Sequence, residues 1–270
     1  MKTIQQIINE STINKRDTRH IIMHVLNINN TTLLTAGDTI VNERDLNKIS
    51  NVISKVKAGM PLAYALGTAS FMGMDFYVNN NVLIPRPETE QLVEEAIAHI
   101  NKTDATTVLD MCTGSGCIVV SLAHFANVTG IGADISAHAL EVAGKNATSH
   151  NVANKVTFVQ TNMFQNISTK VDLIVSNPPY IPTHEMLDLD STVADHEPHL
   201  ALHGGDSGLH FYEIIAQQGG NYLTTNGAIF LEIGYNQGES IKNIFEAVGY
   251  KKIEIKKDYA GHDRMAMIYS

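Results

Sequence analysis

The hydrophobic positions of the chain change their spacing near residue 107. Beyond it, short apolar runs rich in Val and Ile predict buried parallel strands, and apolar residues at helical spacing predict helices between them. The predicted strands are 107–111, 129–133, 156–160, 171–176 and 228–233, followed by an antiparallel pair, 252–256 and 265–269. The predicted helices are 117–126, 137–150, 211–223 and 237–248. This alternation indicates an α/β fold with a mostly parallel sheet and right-handed crossovers.

The first 70 residues have a different pattern, in which apolar residues recur every three to four positions between polar ones. The pattern predicts a bundle of four or five short helices, one of them within 39–57 and capped by Asn42 or Thr39. We therefore divide the chain into a helical domain (1–70), a linker with a short hairpin of 75–78 and 82–84 (71–87), and a larger domain (88–270). The larger domain opens with an amphipathic helix that carries Glu88 and Glu90 in its first turn.

Composition narrows the class of protein. A hydrophobic content of 44% with 17% charged residues suits a packed soluble protein, and a net charge of -9 argues against a surface that neutralises phosphates. No apolar run approaches the ~20 residues of a membrane span, and the polar N-terminus lacks the apolar core of a signal peptide. The two cysteines, Cys112 and Cys117, lie where a strand ends and a helix begins. A disulfide is not expected there, so we predict a cytoplasmic protein.

A glycine-rich turn joins the first predicted strand of the larger domain to the helix after it. The turn comprises Cys112, Thr113, Gly114, Ser115 and Gly116. Glycines there permit a tight turn and close approach of the backbone to a ligand. This signal is also found in dinucleotide-binding proteins, whose full motif would require a third glycine where this chain has Val119.

Two further positions sharpen the ligand class. Asp134 ends the next strand, where a carboxylate can accept both hydroxyls of a ribose. Asn162, Met163 and Phe164 end the third strand. The Asn162 amide can bond an adenine there, and Met163 or Phe164 can cover the face of the base. The spacing fits a nucleoside without pyrophosphate, such as S-adenosylmethionine, better than it fits NAD.

The strand 171–175 stops at Asn177-Pro178-Pro179-Tyr180. Proline cannot continue a strand, and ligands bind at the carboxyl ends of strands in open α/β sheets. The Asn177 side-chain oxygen and the Pro178 carbonyl can accept both hydrogens of a planar NH2 group, and Tyr180 can stack on it. We therefore predict a methyltransferase site for such a nitrogen, with Asn177, Pro178 and Tyr180 as catalytic residues and Pro179 as a further substrate contact.

Two other functions use the same residues. A nucleic-acid methyltransferase would present a flipped base to this pocket, but the acidic balance and the lack of a basic stripe disfavour it. A non-enzymatic S-adenosylmethionine binder would not need Asn177. No metal is predicted: His20 and His24 have the spacing of a ligand pair, but two partly solvated histidines explain them more simply.

With these motifs placed, the chain closely resembles the HemK-type protein-(glutamine N5) methyltransferases, which modify peptide chain release factors. The resemblance runs from about Pro61 to the end, and its most specific segment is PRPETE at 85–90. The other matching segments are 82–84, 113–117, 134–136, 177–181, 197–198 with 201–202, 204–206, 231–234 and 257–264.

The resemblance implies a class I methyltransferase domain, Rossmann-like and seven-stranded, behind a small helical domain that recognises substrate. It implies that a methyl group passes from S-adenosylmethionine, leaving S-adenosylhomocysteine, to the glutamine of a Gly-Gly-Gln loop in release factors. Residues 112–116, Asp134, Asn162, Met163 and Asn177 would contact the cofactor, and residues 177–180 would bind the glutamine amide. The sequence departs from the family at Cys112, often glycine, and at Asn162, often aspartate.

The resemblance also bears on partners and on the loop 181–206. It implies release factors as protein partners, with no nucleic-acid substrate and no membrane, and we expect a monomer. His196, His199 and His203 lie in the loop, which we predict to be irregular and to wall the substrate entrance, bending at Gly204 and Gly205.

Overall fold

The computed structural model describes residues 2–270. The helices are α1 (Ile4–Glu10), α2 (Lys15–Leu26), α3 (Asn30–Thr35), α4 (Glu43–Lys57), α5 (Leu62–Leu66), α6 (Pro87–Thr103), α7 (Cys117–Phe125), α8 (Ala137–Ser149), α9 (Ser191–Ala194), α10 (His210–Gln218) and α11 (Gly238–Ala247). The strands are β1 (Lys2–Thr3), β2 (Ile40–Val41), β3 (Thr68–Phe71), β4 (Met74–Tyr77), β5 (Thr107–Met111), β6 (Thr129–Asp134), β7 (Val156–Gln160), β8 (Val171–Ser176), β9 (Leu223–Glu232), β10 (Lys252–Lys257) and β11 (Asp263–Tyr269).

Two compact units make up the chain. One comprises the residues up to Thr68 together with Asp190–His196, and the other comprises Ala69–Leu189 with Glu197–Ser270. None of the described helices is both long and apolar enough to cross a membrane.

The first unit is built from α1 to α5, with β1 and β2 as a short antiparallel pair and α9 contributed from far along the chain. Helices α1 to α4 start at side-chain caps: Thr3, Asn14, Asn29 and Asn42 each accept the backbone N–H three residues ahead. Of the two caps that the sequence offered for α4, Asn42 is the one observed. The buried residues are Ile4, Ile7, Ile8, Ile21, Ile22, Leu33, Val41, Ile49, Val52 and Ala65.

The second unit contains a seven-stranded sheet in the order β10-β11-β9-β8-β5-β6-β7. The strands from β9 to β7 run parallel, and β11 is antiparallel to both β9 and β10. From β5 the chain adds β6 and β7 on one side and then returns to place β8 and β9 on the other. The order therefore reverses between β5 and β8, where open α/β sheets bind ligands. The predicted α/β fold with a seven-stranded, mostly parallel sheet is confirmed.

Alternate side chains of the central strands enter two separate cores, one on each face of the sheet. Val108, Leu173 and Val175 pack with α6, α7 and α8, whereas Leu109 and Ile174 pack with α10 and α11. The full burial of both faces explains why these strands read as continuous apolar runs rather than as alternating ones. The result is a three-layer unit with helices on each face.

Several predicted boundaries were wrong. The hairpin is formed by β3 and β4, not by 75–78 with 82–84, because Met72 and Gly73 both have positive φ (52° and 72°), as a two-residue hairpin turn requires. Strand β9 begins at Leu223, five residues before the predicted start, and α10 ends at Gln218, with Gly219–Tyr222 forming a 3-10 turn. Loop 181–206 is not wholly irregular, since α9 and the 3-10 turns Glu185–Asp188 and His199–Ala201 interrupt it.

Helix α6 explains the second of the two prolines that flank Arg86. Pro87 is the first helical residue, where no N–H is needed, and Arg86 is the extended residue before it. Glu88 and Glu90 then lie in the first turn, and Glu90 also accepts the backbone N–H of Met72 in the turn between β3 and β4 (2.6 Å).

Candidate active site

The glycine-rich turn has an unusual backbone conformation. Cys112, Gly114 and Gly116 all have positive φ, at 61°, 53° and 78°. An added Cβ at Gly114 would meet nothing within 4 Å, whereas at Gly116 it would lie 2.9 Å from the Cβ of Ala143 on α8. Glycine at position 114 is therefore required only for its positive φ. Glycine at position 116 is required for its positive φ and also lets the turn pack against α8.

Cys112 adopts a left-handed backbone conformation, which favours glycine over residues that carry a Cβ. Burial raises the pKa of the Cys112 thiol well above its usual range, and nearby Asp134 and Asp110 act in the same direction. Burial likewise raises the pKa of Cys117 to about 12. Both cysteines are free thiols, and at neutral pH neither has the thiolate character of a nucleophile.

Asp134 fixes the turn from the end of β6. Its Oδ2 accepts the backbone N–H of Gly114, and its Oδ1 accepts that of Ser136, each at 2.9 Å. Burial raises the pKa of Asp134, although these hydrogen bonds act against the shift. The carboxylate is thus oriented by two backbone donors and still lines the neighbouring cavity.

Asp110 lies beneath the turn and was given no role from the sequence. Its Oδ2 accepts hydrogen bonds from the Thr113 hydroxyl and the Val119 N–H, while its buried Oδ1 has no partner among residues 2–270. Burial raises the pKa of Asp110 to about 7, against the pull of those two donors. Asp110 is therefore an internal support of the turn rather than a wall of the cavity.

A cavity of about 280 Å³ opens at the carboxyl ends of β5, β6 and β8. It brings together most of the predicted site residues: Cys112, Thr113, Gly114, Ser115, Asp134, Asn162, Met163, Asn177 and Pro179. Gly116, Pro178 and Tyr180 lie outside its lining. Phe164, considered as a cover for a base, is instead buried and stacked on Tyr222 at 4.8 Å between ring centroids. Met163, with a φ of 51°, lines the cavity in its place.

The Asn-Pro-Pro-Tyr turn adjoins the glycine-rich turn because β8 pairs with β5. Ser176 is opposite Met111, and its hydroxyl donates to the Met111 carbonyl at 2.5 Å. This pairing places Asn177, the next residue, beside Cys112 at the edge of the sheet. Both motifs therefore face the same cavity.

Hydrogen bonds from Gln237 and Gly204 hold the backbone of Asn-Pro-Pro-Tyr and the residue after it. The Gln237 side chain donates to the Tyr180 carbonyl at 3.0 Å, and Gly204 donates its N–H to the Ile181 carbonyl at 2.8 Å. A Cβ on Gly204 would lie 2.7 Å from the Tyr180 Cα, so this approach is available only to glycine. The Tyr180 ring packs against the core beside α10 and α11, and burial raises its pKa to about 12. It is a neutral phenol at physiological pH.

Sequence reasoning missed the residues that connect the site to its surroundings. The Asn177 amide donates to the Thr89 hydroxyl, which in turn donates to the buried Glu232. Arg86 forms an ion pair with Glu197 at 2.6 Å, joining two segments that line the cavity. All four partners lie in segments that carry the family resemblance, but their pairing across more than 80 residues leaves no local signal.

No group of three His, Cys, Asp or Glu side chains within residues 2–270 is placed to hold a metal ion. His203 instead shares a hydrogen bond with the Thr183 hydroxyl at 2.9 Å.

Comparison with known proteins identifies the family. A family profile described as "PrmC N-terminal domain" matches residues 2–67, and one described as "Methyltransferase small domain" matches 91–200. The release factor glutamine methyltransferase of Thermodesulfovibrio yellowstonii is 37% identical over 269 residues, covering 98% of this chain and 96% of its own. The chain belongs to the release factor glutamine methyltransferase family. It is therefore a methyltransferase, and the resemblance inferred from its motifs is confirmed.

Two more comparisons extend this picture. The release factor glutamine methyltransferase of Lactococcus lactis is 41% identical over 230 residues, covering 84% of each chain. The fold of a methyltransferase from Pyrococcus furiosus matches with a TM-score of 0.55 at 18% identity, covering 82% of this chain and 98% of that one. This structural match supports the fold alone.

Proposed function

We propose that the enzyme transfers a methyl group from S-adenosylmethionine to the side-chain amide nitrogen of the glutamine in the Gly-Gly-Gln motif of peptide chain release factors. The observation that carries this proposal is the Asn177 carboxamide, which is hydrogen-bonded to Thr89 at the wall of a cavity that the glycine-rich turn also lines. Membership of the family directs the choice of a glutamine amide over other planar amino groups.

The cavity residues fit S-adenosylmethionine. The turn of Cys112, Gly114 and Gly116 keeps its backbone open to a ligand, and Asp134 offers an oriented carboxylate for ribose hydroxyls. Asn162 and Met163 also line the cavity, and we assign them to the adenine. When bound, the cofactor supplies an electrophilic methyl group on a sulfonium and is released as S-adenosylhomocysteine. No metal has a role in this scheme.

The amide nitrogen of glutamine is a poor nucleophile because its lone pair is delocalised into the carbonyl. Asn177 Oδ1 and the Pro178 carbonyl would accept its two N–H hydrogens, which stabilises the positive charge that grows on nitrogen as the N–C bond forms. Tyr180 would pack against the flat amide and hold it in line for transfer. The methylated amide then gives up one N–H proton to water, so no side-chain base is required.

We further propose that residues 1–70 recognise the release factor, while 88–270 bind the cofactor and perform the transfer. The first unit has its own core and helix caps, so it can present a rigid surface to a folded protein. We expect the enzyme to act as a monomer in the cytoplasm, where release factors work.

Mass spectrometry tests this function. The enzyme and S-adenosylmethionine are incubated with a release factor, with the same factor carrying alanine in place of the Gly-Gly-Gln glutamine, and with tRNA and DNA. We expect one added methyl group on the Gly-Gly-Gln peptide of the first sample and none on the alanine variant. Methylation of nucleic acid without methylation of the release factor would overturn the proposal in favour of a base methyltransferase.

A further inference from the structure

A chain of hydrogen bonds runs from the cavity wall into the protein interior. Asn177 Nδ2 donates to Thr89 Oγ1 at 3.2 Å, and Thr89 Oγ1 donates to Glu232 Oε2 at 2.5 Å. Thr89 is 2% exposed and Glu232 is 1% exposed, so neither exchanges its partner for water. Asn177 follows β8, Thr89 is in α6 and Glu232 ends β9, so the two hydrogen bonds join residues that are 88 and 143 positions apart.

The chemistry of the three side chains determines which atom donates in each of these hydrogen bonds. An ionised carboxylate only accepts hydrogen bonds, so Glu232 requires the single hydroxyl proton of Thr89. The Thr89 oxygen then has only lone pairs left, and it accepts the NH2 end of the Asn177 amide. The carbonyl end of that amide is consequently the end that remains for a ligand in the cavity.

We propose that Thr89 and Glu232 are positioning residues that hold the Asn177 carboxamide in the one orientation able to accept a substrate N–H. The proposal rests on the proposed function, because only a substrate with an NH2 group needs an acceptor at this position. If the amide turned by 180°, its NH2 group would face the substrate NH2 group, and two donors would oppose each other. Turnover would then fall without any loss of cofactor contacts.

The surroundings of Glu232 make the orientation of the Asn177 carboxamide depend on pH, because they set the pKa of Glu232. Burial raises the pKa of Glu232 to about 7, while the Thr89 hydrogen bond and Arg264 of β11 act to lower it. The other charged or titratable groups facing it are Glu88 of α6, Arg86 before α6, Tyr180, Cys117 of α7 and Tyr212 of α10, whose hydroxyl donates to the Glu232 carbonyl. A protonated Glu232 can itself donate to Thr89, and the hydroxyl proton is then free to bond the Asn177 oxygen.

Steady-state kinetics of Thr89→Val and Thr89→Ser test the proposal. Valine keeps the shape of threonine but removes the hydroxyl, so we expect kcat to fall about 10- to 100-fold, the range for lost preorganisation of a reacting group. Thr89 also lines the cavity, but its hydroxyl is engaged by Asn177 and Glu232 and valine keeps its shape, so the dissociation constant of the cofactor should change by less than about 2-fold. Thr89→Ser keeps the hydroxyl and should recover most of the lost kcat.

A matched control separates this role from packing. Ser121 on α7 is another fully buried hydroxyl in the same unit, and it has no hydrogen-bond partner among residues 2–270. Ser121→Ala should leave kcat unchanged. Wild-type kcat in Thr89→Val, or equal losses in Thr89→Val and Thr89→Ser, would overturn the proposal.

The pH profile supplies a second, independent readout. Wild-type kcat should decrease as the pH falls through about 7, because protonation of Glu232 releases the orientation of Asn177. Glu232→Gln should have a low kcat that no longer depends on pH in this range, since glutamine can bond Thr89 in either direction. A Glu232→Gln profile that matches the wild type would count against the role of Glu232.

The orientation is also measurable without turnover, which separates this inference from the proposed function. In protein labelled with ¹⁵N-asparagine, the side-chain NH2 signal of Asn177 is assigned by its loss in Asn177→Asp. We expect slowed hydrogen exchange at this NH2 in the wild type and fast exchange in Thr89→Val. Equal exchange rates in both proteins would overturn the positioning role, whether or not a release factor is methylated. The expected difference in exchange together with a release factor that stays unmethylated would overturn only the proposed substrate.

Discussion

Two asparagines face the same cavity, and single substitutions are expected to separate their roles. Asn177 follows β8 and Asn162 follows β7, and both line the cavity. Asn177→Ala removes an acceptor that acts on charge developing during transfer, so we expect kcat to fall at least about 100-fold. Asn162→Ala removes a ground-state contact worth about 1 kcal/mol, so we expect cofactor binding to weaken about 5-fold at constant kcat.

Isothermal titration calorimetry for cofactor affinity and single-turnover methylation at saturating cofactor measure the two effects separately. The expected pattern is crossed: one variant loses rate and keeps affinity, and the other does the reverse. A loss of cofactor affinity with normal saturated turnover in Asn177→Ala would contradict the role given to that residue.

Hydrogen bonds fix the Asn-Pro-Pro-Tyr turn, and Gly204 packs closely against its backbone. A Cβ there would lie 2.8 Å from the Pro179 carbonyl oxygen and 2.7 Å from the Tyr180 Cα, both backbone atoms that cannot rotate away. We expect Gly204→Ala to displace the turn, lower the free energy of unfolding by about 1–3 kcal/mol and reduce kcat. Urea unfolding and methylation assays provide the two measurements.

Gly144, on α8, is a matched control for Gly204. An added Cβ at Gly144 would meet nothing within 4 Å, and the residue is inside a helix. Gly144→Ala should therefore raise the free energy of unfolding by about 0.5–1 kcal/mol and leave kcat unchanged. If both variants behaved alike, the effect of Gly204→Ala could not be assigned to contact with the turn.

The strands that were predicted well are short apolar runs between clear breaks. β5 and β8, which are largely buried on both faces, have the predicted bounds, and so does the edge strand β7. The early part of β9 was missed because Thr224, Asn226 and Gly227 are polar or small. Thr224 is in the strand because its hydroxyl donates to Asp172 of β8 at 2.8 Å, a contact that no local pattern reveals.

In the candidate site too, residues with a local sequence pattern could be predicted, whereas residues that act through long-range contacts could not. Asp134, the glycine-rich turn and Asn177 could be predicted because each ends a strand or follows one directly. Glu232, Thr89 and Gln237 could not, because their roles depend on hydrogen bonds between distant segments. The hairpin was misplaced for a related reason: its turn, Met72-Gly73, depends on a positive φ at a methionine, which residue type alone does not indicate.

The protein as a whole carries a net charge of -9, yet its acidic groups respond to folding in opposite directions. Burial raises the pKa of Asp110 from 3.8 to about 7. Burial would also raise the pKa of Asp172, but the N–H groups of Thr106 and Thr107 and the hydroxyls of Thr224 and Thr107 outweigh it and lower the pKa to about 2. Asp172 joins β8 to β5 and β9 through these bonds.

The two shifts predict opposite dependences of stability on pH. For Asp110, the pKa is higher in the folded state than in the unfolded state. Its contribution to stability is therefore present below the unfolded-state pKa and is lost as the pH rises from about 4 to 7. For Asp172, the pKa is lower in the folded state than in the unfolded state. Its contribution to stability is therefore present above the unfolded-state pKa and is lost as the pH falls from about 4 to 2.

Asp110→Asn isolates the first dependence, because the difference in unfolding free energy between variant and wild type cancels every other titrating group. We expect this difference to rise in favour of the variant between about pH 4 and 7, by up to about 1.4 kcal/mol per pH unit, and to be constant above that range. Asp172→Asn should be less stable than the wild type at neutral pH and should approach it only as the pH falls from about 4 to 2. Urea unfolding followed by circular dichroism at half-unit pH steps measures both differences. A flat difference for Asp110→Asn between pH 4 and 7 would mean that Asp110 ionises inside the fold as readily as in water, so that the unpaired Oδ1 beneath the glycine-rich turn carries no desolvation cost.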